Sequence, residues 1–461
     1  MFYAEWFPMK YFIKTFGCQM NVSDSERIAA FLEQHDFSVC ENISDADLVI
    51  FNTCGIKQTA ENRAYSMINN LRKKNQDIQI VMTGCLANRK DVQTRMQKKV
   101  DLFTEIKNFP EKFRIMNQEL GIKEKNSKIK NHDSKFMIHD SKKINKEDIA
   151  YLSIKPKHSN HFQAFVPVMT GCNNFCAYCV VPYARGREVS RSANEIVSEI
   201  ENLVKKGYKN ITLLGQNVNS YHGVWSMGSE TKIDFTQLLK KINSIPGKFW
   251  INFVSSHPKD MSDELIETIT KLKKVCEWIH LPLQAGDNKI LEKMNRRYTK
   301  EHYLKQIKKI KKLFKKNKPG ALFSISSDII VGFPGETKSK FMESADVMEK
   351  SKFDMVFFGQ FSPRPGTKAW EMKDNVLQKE KVRREVFLNE ILKKTTLANN
   401  KKYVDKKVEV LIEKEKNGFY FGKTRTMKNV KIPKNKEGQI GKIVTAKIIK
   451  ANIWNLEATL K

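Results

Sequence analysis

Residues 168–191 read VMTGCNNFCAYCVVPYARGREVSR and place three cysteines, Cys172, Cys176 and Cys179, in the spacing Cys-x3-Cys-x2-Cys. A structural zinc site closes its tetrahedron with four protein donors, and this segment provides no fourth ligand. Three thiolates on a cubane 4Fe-4S cluster instead leave one iron open to a small molecule. The spacing therefore indicates a cluster whose open iron does chemistry. The alternatives are a zinc site completed by the remote His158 or His161, and three buried cysteines without a metal.

Three further cysteines each follow a short apolar run near the N-terminus. The runs YFIKTF (11–16), ADLVIFNT (46–53) and IQIVMT (78–83) each precede a helical pattern, as in β-α units with a parallel sheet. Cys18, Cys54 and Cys85 follow these runs within two residues. Ligands collect at the carboxyl ends of strands in such sheets, so we expect these thiols to meet and hold a second cluster. The alternative is coincidence among small buried residues, which is how we interpret Cys40 and Cys276.

Residues 162 to about 395 alternate six apolar runs with helical patterns, which favours an incomplete β/α barrel. One helix is predicted over 194–206, with Gly207 ending it. Function in such barrels lies where the strands end. Polar residues at the predicted strand ends are Gln216, Asn217, Ser255, Ser256, His257, Gln284 and Asp328. Each alone is equally typical of a turn or a helix cap.

The charge of the chain suggests a polyanionic partner. Lys and Arg number 82 against 51 Asp and Glu, a formal net charge of +31, and basic surfaces gain affinity by releasing phosphate counterions. A lysine-rich composition is the alternative explanation. Residues 401–461 hold 16 basic against 6 acidic residues in short strand-like runs. They predict a small basic β-barrel suited to nucleic acid, unless it is a structural cap.

The sequence also indicates the cellular location of the protein and a linker between its domains. The first residues lack the basic start and apolar stretch of a signal peptide, and no run of ~18 apolar residues predicts a membrane span. Eight cysteines without an export signal favour thiolate chemistry in a reducing compartment, the cytoplasm. Residues 121–160 are polar with few large apolar side chains, and predict a linker or insertion.

The segment 168–191 resembles the cluster loop of radical S-adenosylmethionine enzymes, and specifically of the methylthiotransferases. Further motifs of that family occur in the same order along the chain. They are TFGCQMNVSDSE (15–26), LLGQNVNSY (213–221), SSHPKDMSDELI (255–266), MNRRYT (294–299) and SPRPGT (362–367). The resemblance implies an N-terminal methylthiotransferase domain at 1–120, a radical domain at 161–397 and a C-terminal barrel of the TRAM type at 398–461.

The resemblance also implies the ligands and the reaction. Cys18, Cys54 and Cys85 would hold an auxiliary 4Fe-4S cluster, and Cys172, Cys176 and Cys179 a second one that cleaves S-adenosylmethionine to a 5′-deoxyadenosyl radical. Gln216, Asn217, Ser255, Ser256, Gln284 and Asp328 are candidates to bind that cofactor. Two molecules of it would be used per product, one to methylate a sulfur and one to activate the substrate. The cofactors do the hard chemistry and the protein positions them.

The residues around Cys18 indicate the substrate branch. Gly17-Cys18-Gln19-Met20-Asn21 is similar to the branch that methylthiolates carbon 2 of N⁶-isopentenyladenosine in tRNA, next to the anticodon. Rival readings are methylthiolation of threonylcarbamoyladenosine or of a ribosomal-protein aspartate, and a non-catalytic iron-sulfur sensor that binds RNA. We expect a monomer that takes electrons from an acidic flavodoxin or ferredoxin. The insertion at 121–160 and Lys423, where the family barrel often has Arg, depart from the family pattern.

Overall fold

A computed structural model describes residues 9–56, 58–119, 150–227, 229–435 and 438–460, without the side chains of 119, 227 and 229. Most of the predicted insertion at 121–160 lies outside the described residues. The chain forms two compact units. The first comprises residues 1–159 together with 170–173 and 179–189, and the second comprises the remaining residues up to 461. All eight cysteines are thiols.

The first unit is built on a five-stranded parallel sheet with the order β2-β1-β3-β4-β5. Strand β3 is buried on both faces. Val49 and Phe51 pack on one side, and Leu48 and Ile50 on the other. This explains its uninterrupted apolar sequence. The elements are β1 Lys10–Thr15, α1 Gln19–Glu33, β2 Ser38–Val39, β3 Leu48–Thr53, α2 Gln58–Lys74, β4 Gln79–Gly84, α3 Lys90–Met96, β5 Leu102–Phe103 and α4 Phe109–Glu119.

The strand order places the first three cysteines at one edge of this sheet. Strands β1, β3 and β4 are adjacent and parallel, and the order reverses beside β1, where β2 pairs on its other side. Such a switch point opens a crevice at the carboxyl ends of the strands. Cys18, Cys54 and Cys85 follow those three strand ends. The predicted α/β fold of this region is confirmed.

Residues 163–401 contain six parallel strands with helices between them. Strand β9 pairs with β6 and β12, β14 pairs with β13 and β15, and an Ile251–Val275 bridge continues the arc after β12. The elements are β6 Gln163–Pro167, β7 Met169–Thr170, α5 Val181–Arg185, β8 Val189–Ser190, α6 Ala193–Lys205, β9 Asn210–Leu214, β10 His222–Met227, β11 Ser229–Asp234, α7 Phe235–Ser244, β12 Trp250–Phe253, α8 Asp263–Lys271, β13 Trp278–His280, α9 Asn288–Lys293, α10 Lys300–Asn317, β14 Ser324–Val331, α11 Lys338–Ser351, β15 Met355–Gln360 and α12 Gln378–Lys401.

The predicted incomplete β/α barrel is therefore confirmed, and its helices cover the outside. In α6 the side chains of Ile196, Ile200 and Leu203 are buried, and Gly207 follows with φ +91°, which ends the helix as predicted. The hairpin of β10 and β11 was not predicted. Its antiparallel register joins His222 to Asp234, but its second strand is polar and carries no apolar alternation.

The C-terminal residues close into a five-stranded barrel with the order β16-β17-β18-β20-β19. The strands are β16 Lys407–Lys416, β17 Phe419–Thr424, β18 Asn429–Pro433, β19 Ile443–Ala451 and β20 Leu456–Leu460. The continuous run of strand-forming residues at 443–460 divides into two strands. The Asn452 N–H donates to the Asn455 carbonyl at 2.9 Å, a turn that asparagine favours. In the described part of the chain, no helix has the length and apolar character needed to cross a membrane.

Candidate iron-sulfur and cofactor sites

Cys18, Cys54 and Cys85 meet at the carboxyl ends of β1, β3 and β4. A Cβ built on Gly17 would lie 2.7 Å from Cβ of Cys54 and 2.9 Å from its Sγ. A Cβ built on Gly55 would lie 3.2 Å from Cβ of Cys85. Glycine at these two positions therefore makes room for the thiols. The structure brings the three residues together, and their role as cluster ligands stays a prediction.

Backbone conformation holds these strand ends close to one another. Gly84 has φ +82°, and a Cβ there would lie 2.5 Å from the Thr53 carbonyl oxygen. Only glycine avoids both the left-handed strain and that contact. The Cys85 N–H donates to the same Thr53 carbonyl at 3.0 Å. The strand end before Cys54 and the one before Cys85 are thus locked in register.

A buried guanidinium accompanies the three thiols. Arg185 Nη2 donates to Asp24 Oδ2 at 2.6 Å and to Asn21 Oδ1 at 2.9 Å. The thiol of Cys18 donates to the same Asn21 oxygen at 3.8 Å. Burial raises the pKa of Cys85, while the positive charge of Arg185 acts to lower it. Sequence reasoning did not single out Arg185, although it lies within the cysteine loop that was quoted.

The donor set suits an anionic iron-sulfur cluster. The thiols of Cys18 and Cys85 lie within electrostatic reach of the buried Arg185 cation, and Cys18 stands at the N-terminus of α1, where the helix dipole favours negative charge. Among the described side chains, Arg185 Nη1 is buried without a hydrogen-bond partner. Within those same ranges, no three Cys, His, Asp or Glu side chains are arranged to hold a metal ion as they stand.

In the first unit, the cysteine loop is fixed by its own backbone. The Cys172 N–H donates to the Gly186 carbonyl at 3.2 Å, and Cys172 is buried. Gly171 has φ +76°, and a Cβ there would lie 1.9 Å from the Arg187 carbonyl oxygen. Cys179 is half-buried. It comes shortly before α5, which carries Arg185.

Cys176 belongs to the second unit and has its own buried arginine. Arg296 Nη1 donates to Cys176 Sγ at 3.4 Å. The adjacent Asn295 side chain donates to the carbonyls of Asn174 and Phe175, both at 3.0 Å. Arg296 is buried, so its charge acts on the sulfur with little screening. Arg296 lies in the MNRRYT motif, but sequence reasoning gave it no role.

Buried side-chain oxygens without partners lie at the ends of β9 and β12. Among the described residues, Gln216 Oε1, Asn217 Oδ1 and Ser256 Oγ are buried and accept or donate no hydrogen bond. Buried polar atoms are normally satisfied, so three orphans at one end of a β/α barrel fit a polar ligand that completes them. The amino acid and ribose parts of S-adenosylmethionine have the matching groups.

The loops that carry these residues are held rigidly. The Asn217 side chain donates to Asp260 at 2.7 Å. The Asn219 side chain exchanges hydrogen bonds with the backbone of His257 at 2.8 and 3.0 Å. Burial lowers the pKa of His257 to about 2, with a smaller effect of Arg296, so this imidazole stays neutral. Ser255 adopts φ +65°, a strained conformation often seen at functional sites.

Gln284, four residues after the end of β13, lies beside Asp328 of β14. The Gln284 N–H donates to the Asp328 carbonyl at 2.8 Å, and Gln284 has φ +67°. Asp328 lies within β14 and not at its end, which corrects the sequence interpretation. The strand continues because Ile329 to Val331 pair with β15. Its carboxylate lies 3.3 Å from His280 Nε2, so Asp328 has a protein partner already.

The other cysteine and histidine assignments can also be placed. His158, the remote zinc ligand considered above, lies 3.0 Å from the Glu26 carboxylate. Cys276 is fully buried against Trp250 and Leu411, as a packing residue should be. Cys40 is half-buried, and its thiol donates to the Tyr11 carbonyl at 3.4 Å.

The C-terminal barrel presents aromatic rings and lysines on one outward face. Residues at alternate positions of β17 point outward, and Tyr420, Gly422 and Thr424 are buried between them. Lys431 Nζ lies 3.8 Å from the centroid of the Phe419 ring, and Lys414 Nζ lies 5.6 Å from that of Phe421. Rings beside cations are suited to stacking bases and binding phosphates.

Arg425, next to that face, binds protein instead. Its guanidinium donates to both oxygens of Glu277 at 2.8 and 2.9 Å, and Lys428 pairs with Asp354 at 2.7 Å. Ser324 Oγ donates to the Thr426 carbonyl at 2.6 Å. The turn at 425–428 thus fixes the small barrel to the β/α barrel within the second unit.

Comparison with known protein families accounts for three parts of the chain. Residues 10–105 match the model of an uncharacterized protein family, UPF0004. Residues 166–348 match the radical SAM superfamily, and residues 401–461 match the TRAM domain.

Curated relatives match over nearly the whole length. A tRNA-2-methylthio-N(6)-dimethylallyladenosine synthase of Finegoldia magna is 41% identical over 455 residues, covering 97% of this chain and 93% of that protein. A protein of the same name from Syntrophomonas wolfei is 40% identical and covers 97% of each chain.

Solved structures share the fold at low sequence identity. The radical S-adenosylmethionine methyltransferase TsrM from Kitasatospora setae superposes with a TM-score of 0.51 at 13% identity, covering 78% of this chain and 77% of that one. The cobalamin-dependent S-adenosylmethionine radical enzyme OxsB gives a TM-score of 0.50 at 11% identity, covering 83% and 56%. These similarities concern the fold alone.

Proposed function

This chain belongs to the family of the tRNA-2-methylthio-N(6)-dimethylallyladenosine synthases, and we propose that it attaches a methylthio group to carbon 2 of N⁶-isopentenyladenosine in tRNA, next to the anticodon at position 37. The observation that carries this proposal is the 41% identity with such an enzyme over 97% of the chain. Two separate sets of three cysteines and a basic C-terminal barrel supply what this reaction requires.

The proposed cofactors are two 4Fe-4S clusters and S-adenosylmethionine. Cys18, Cys54 and Cys85 would hold one cluster, and Cys172, Cys176 and Cys179 the other. When bound, these groups supply the electron, the radical and the sulfur that protein side chains lack. Three thiolates per cluster leave one iron of each open.

The protein's own side chains would bind and orient. The buried oxygens of Gln216, Asn217 and Ser256 are placed to accept from, or donate to, the polar groups of S-adenosylmethionine, with Ser255, Gln284 and Asp328 as further candidates. Arg296 fixes the position of Cys176 through a hydrogen bond at 3.4 Å. His257, held neutral by burial, adds no positive charge to this end of the barrel.

We also propose the partners and the domain limits that membership of this family implies. The outward face of the C-terminal barrel binds tRNA, and a flavodoxin- or ferredoxin-type protein donates electrons to the basic surface. The protein acts as a monomer in the cytoplasm, where its substrate is found. The functional domains are 1–120, 161–397 and 398–461, joined by the insertion at 121–160.

The product in tRNA tests the proposed function. Cells whose tRNA carries isopentenyladenosine without the methylthio group should gain 2-methylthio-isopentenyladenosine when they express this chain. Mass analysis of digested tRNA nucleosides measures it. Cys18→Ala should remove the product while reductive cleavage of S-adenosylmethionine continues, since the two cysteine sets do different work. Unmodified tRNA alongside a methylthiolated ribosomal-protein aspartate would overturn the proposal.

Iron content tests the two clusters. The anaerobically reconstituted chain should bind about eight iron atoms, as two cubane clusters do. Changing Cys172, Cys176 and Cys179 together to Ala should halve the iron and abolish 5′-deoxyadenosine formation. Full iron in this triple variant would show that these residues are not ligands.

A further inference from the structure

Arg185 is a buried charged side chain that the proposed reaction does not yet use. It is 7% exposed and lies in α5, the short helix that follows Cys179. By sequence it belongs to the loop of the Cys172–Cys176–Cys179 set. In space, its hydrogen-bond partners are Asn21 and Asp24, which follow Cys18 in α1.

Two contacts place this guanidinium at the Cys18–Cys54–Cys85 set. Arg185 Nη2 and the Cys18 thiol share one acceptor, the Asn21 side-chain oxygen, at 2.9 and 3.8 Å. Val180 comes immediately before α5. A Cβ built on Gly55 would lie 3.1 Å from the Val180 side chain and 3.2 Å from Cβ of Cys85.

The hydrogen bonds of Arg185 are incomplete. Its Nη1 is buried without a partner among the described residues, and so is Oδ1 of Asp24. A buried donor on a cation is costly to leave unsatisfied. An anionic group among the three thiols would satisfy it, since thiolates and cluster sulfur accept hydrogen bonds from arginine.

We propose that Arg185 is a positioning residue of the auxiliary site, a charge partner that stabilises the additional electron on a cluster held by Cys18, Cys54 and Cys85. This inference rests on the proposed function. Hydrogen bonds and charges around a cluster set its reduction potential. A guanidinium in a buried site favours the more negative, reduced state because little solvent screens its field.

The experiment measures the auxiliary cluster alone. In the background Cys172→Ala, Cys176→Ala and Cys179→Ala, the full chain retains only the Cys18–Cys54–Cys85 set. Its midpoint potential is measured by spectroscopic redox titration, together with its iron content. Arg185→Gln should lower the potential, and Arg185→Lys should keep it near that of the parent. Arg187→Gln is the matched control because Arg187 is exposed in the same loop, and it should change nothing.

A second variant covers the case in which Arg185→Gln fails to fold because Asp24 is left buried and unpaired. The double variant Asp24→Asn with Arg185→Gln removes both charges, and its potential should fall relative to that of Asp24→Asn alone, which differs from it only in the charge of Arg185. An unchanged potential in either variant that holds iron overturns the inference. So does an equal fall in Arg187→Gln, or a loss of iron in Arg185→Lys. If the parent background binds no iron, the auxiliary cluster itself is refuted, which is a separate failure from that of Arg185.

Discussion

Single buried atoms without partners mark several of the residues that we propose to bind the cofactor. Ser256 Oγ is buried without a hydrogen-bond partner among the described residues, whereas Ser262 Oγ accepts from the Leu265 N–H at 3.1 Å and caps α8. Both serines follow β12, Ser256 three residues and Ser262 nine residues after its end. The sequence does not separate their roles, but their hydrogen bonds do.

Replacing each of these serines with alanine should therefore affect different properties, cofactor binding for Ser256 and stability for Ser262. Ser256→Ala should leave the melting temperature unchanged and weaken S-adenosylmethionine binding by about fivefold, since one hydrogen bond contributes about 1 kcal/mol. Ser262→Ala should lower the stability by about 1 kcal/mol through loss of the helix cap and leave binding intact. Calorimetric titration of the reconstituted protein and thermal unfolding measure the two. Tight binding by Ser256→Ala would remove it from the cofactor site.

At the scale of elements, the sheet of the first unit positions its cysteines through the turns that follow its strands. Gly84 ends β4 with φ +82°, packed against the Thr53 backbone. Gly207 ends α6 with φ +91° and has nothing within 4 Å of a built Cβ. The two glycines share the left-handed conformation and differ only in their surroundings.

Replacing each of these two glycines with alanine distinguishes the stability cost of backbone strain from that of a steric clash. Gly207→Ala should lose about 1 kcal/mol, the cost of a left-handed non-glycine residue. Gly84→Ala should lose clearly more, because its Cβ would lie 2.5 Å from the Thr53 carbonyl oxygen and push β3 and β4 apart. We expect Gly84→Ala also to lose the iron of the Cys18–Cys54–Cys85 set. Thermal unfolding and iron counting measure both, and equal behaviour of the two variants would contradict this account.

At the scale of the whole molecule, the net charge of +31 is spread widely, and the fold decides where it acts. On α10 the side chains of Tyr303, Ile307 and Ile310 are buried, while the exposed lysines of the helix are Lys305, Lys308, Lys312, Lys315 and Lys316. On the C-terminal barrel, lysines lie beside aromatic rings. Removing this barrel altogether would also uncover Cys276 and leave Glu277 without Arg425, so substitution is the cleaner test.

Three lysines on each surface give a matched comparison with equal change in net charge. Lys414, Lys423 and Lys431 changed together to Gln should weaken tRNA binding and reduce the slope of log affinity against log salt by about 2, as expected for lost phosphate contacts. Lys305, Lys308 and Lys312 on α10, changed the same way, should alter neither. Binding measured at several salt concentrations decides it. Equal losses would mean that total charge, and not the barrel face, governs affinity.

The sequence by itself determined much of this protein. The apolar runs before Cys18, Cys54 and Cys85, the six runs between 162 and 395 and the short runs at 401–461 predicted the strand ends, the β/α barrel and the small C-terminal barrel. These features depend on local patterns, because apolar periodicity and turn residues act over a few positions. The predicted helix at 194–206 agrees with the observed helix Ala193–Lys205 to within one residue at each end, because that prediction also used a local pattern.

Only the tertiary structure decided which polar groups are buried and what they face. Nothing in the local sequence distinguishes Arg185, which bonds Asp24, from the exposed Arg187, or Arg425, which bonds Glu277, from a nucleic-acid contact. The extra length of β14 past Asp328 likewise depends on its pairing with β15. Partners distant in sequence meet only when the chain folds, so burial and charge pairing are properties of the assembled sheets and not of the residues' order.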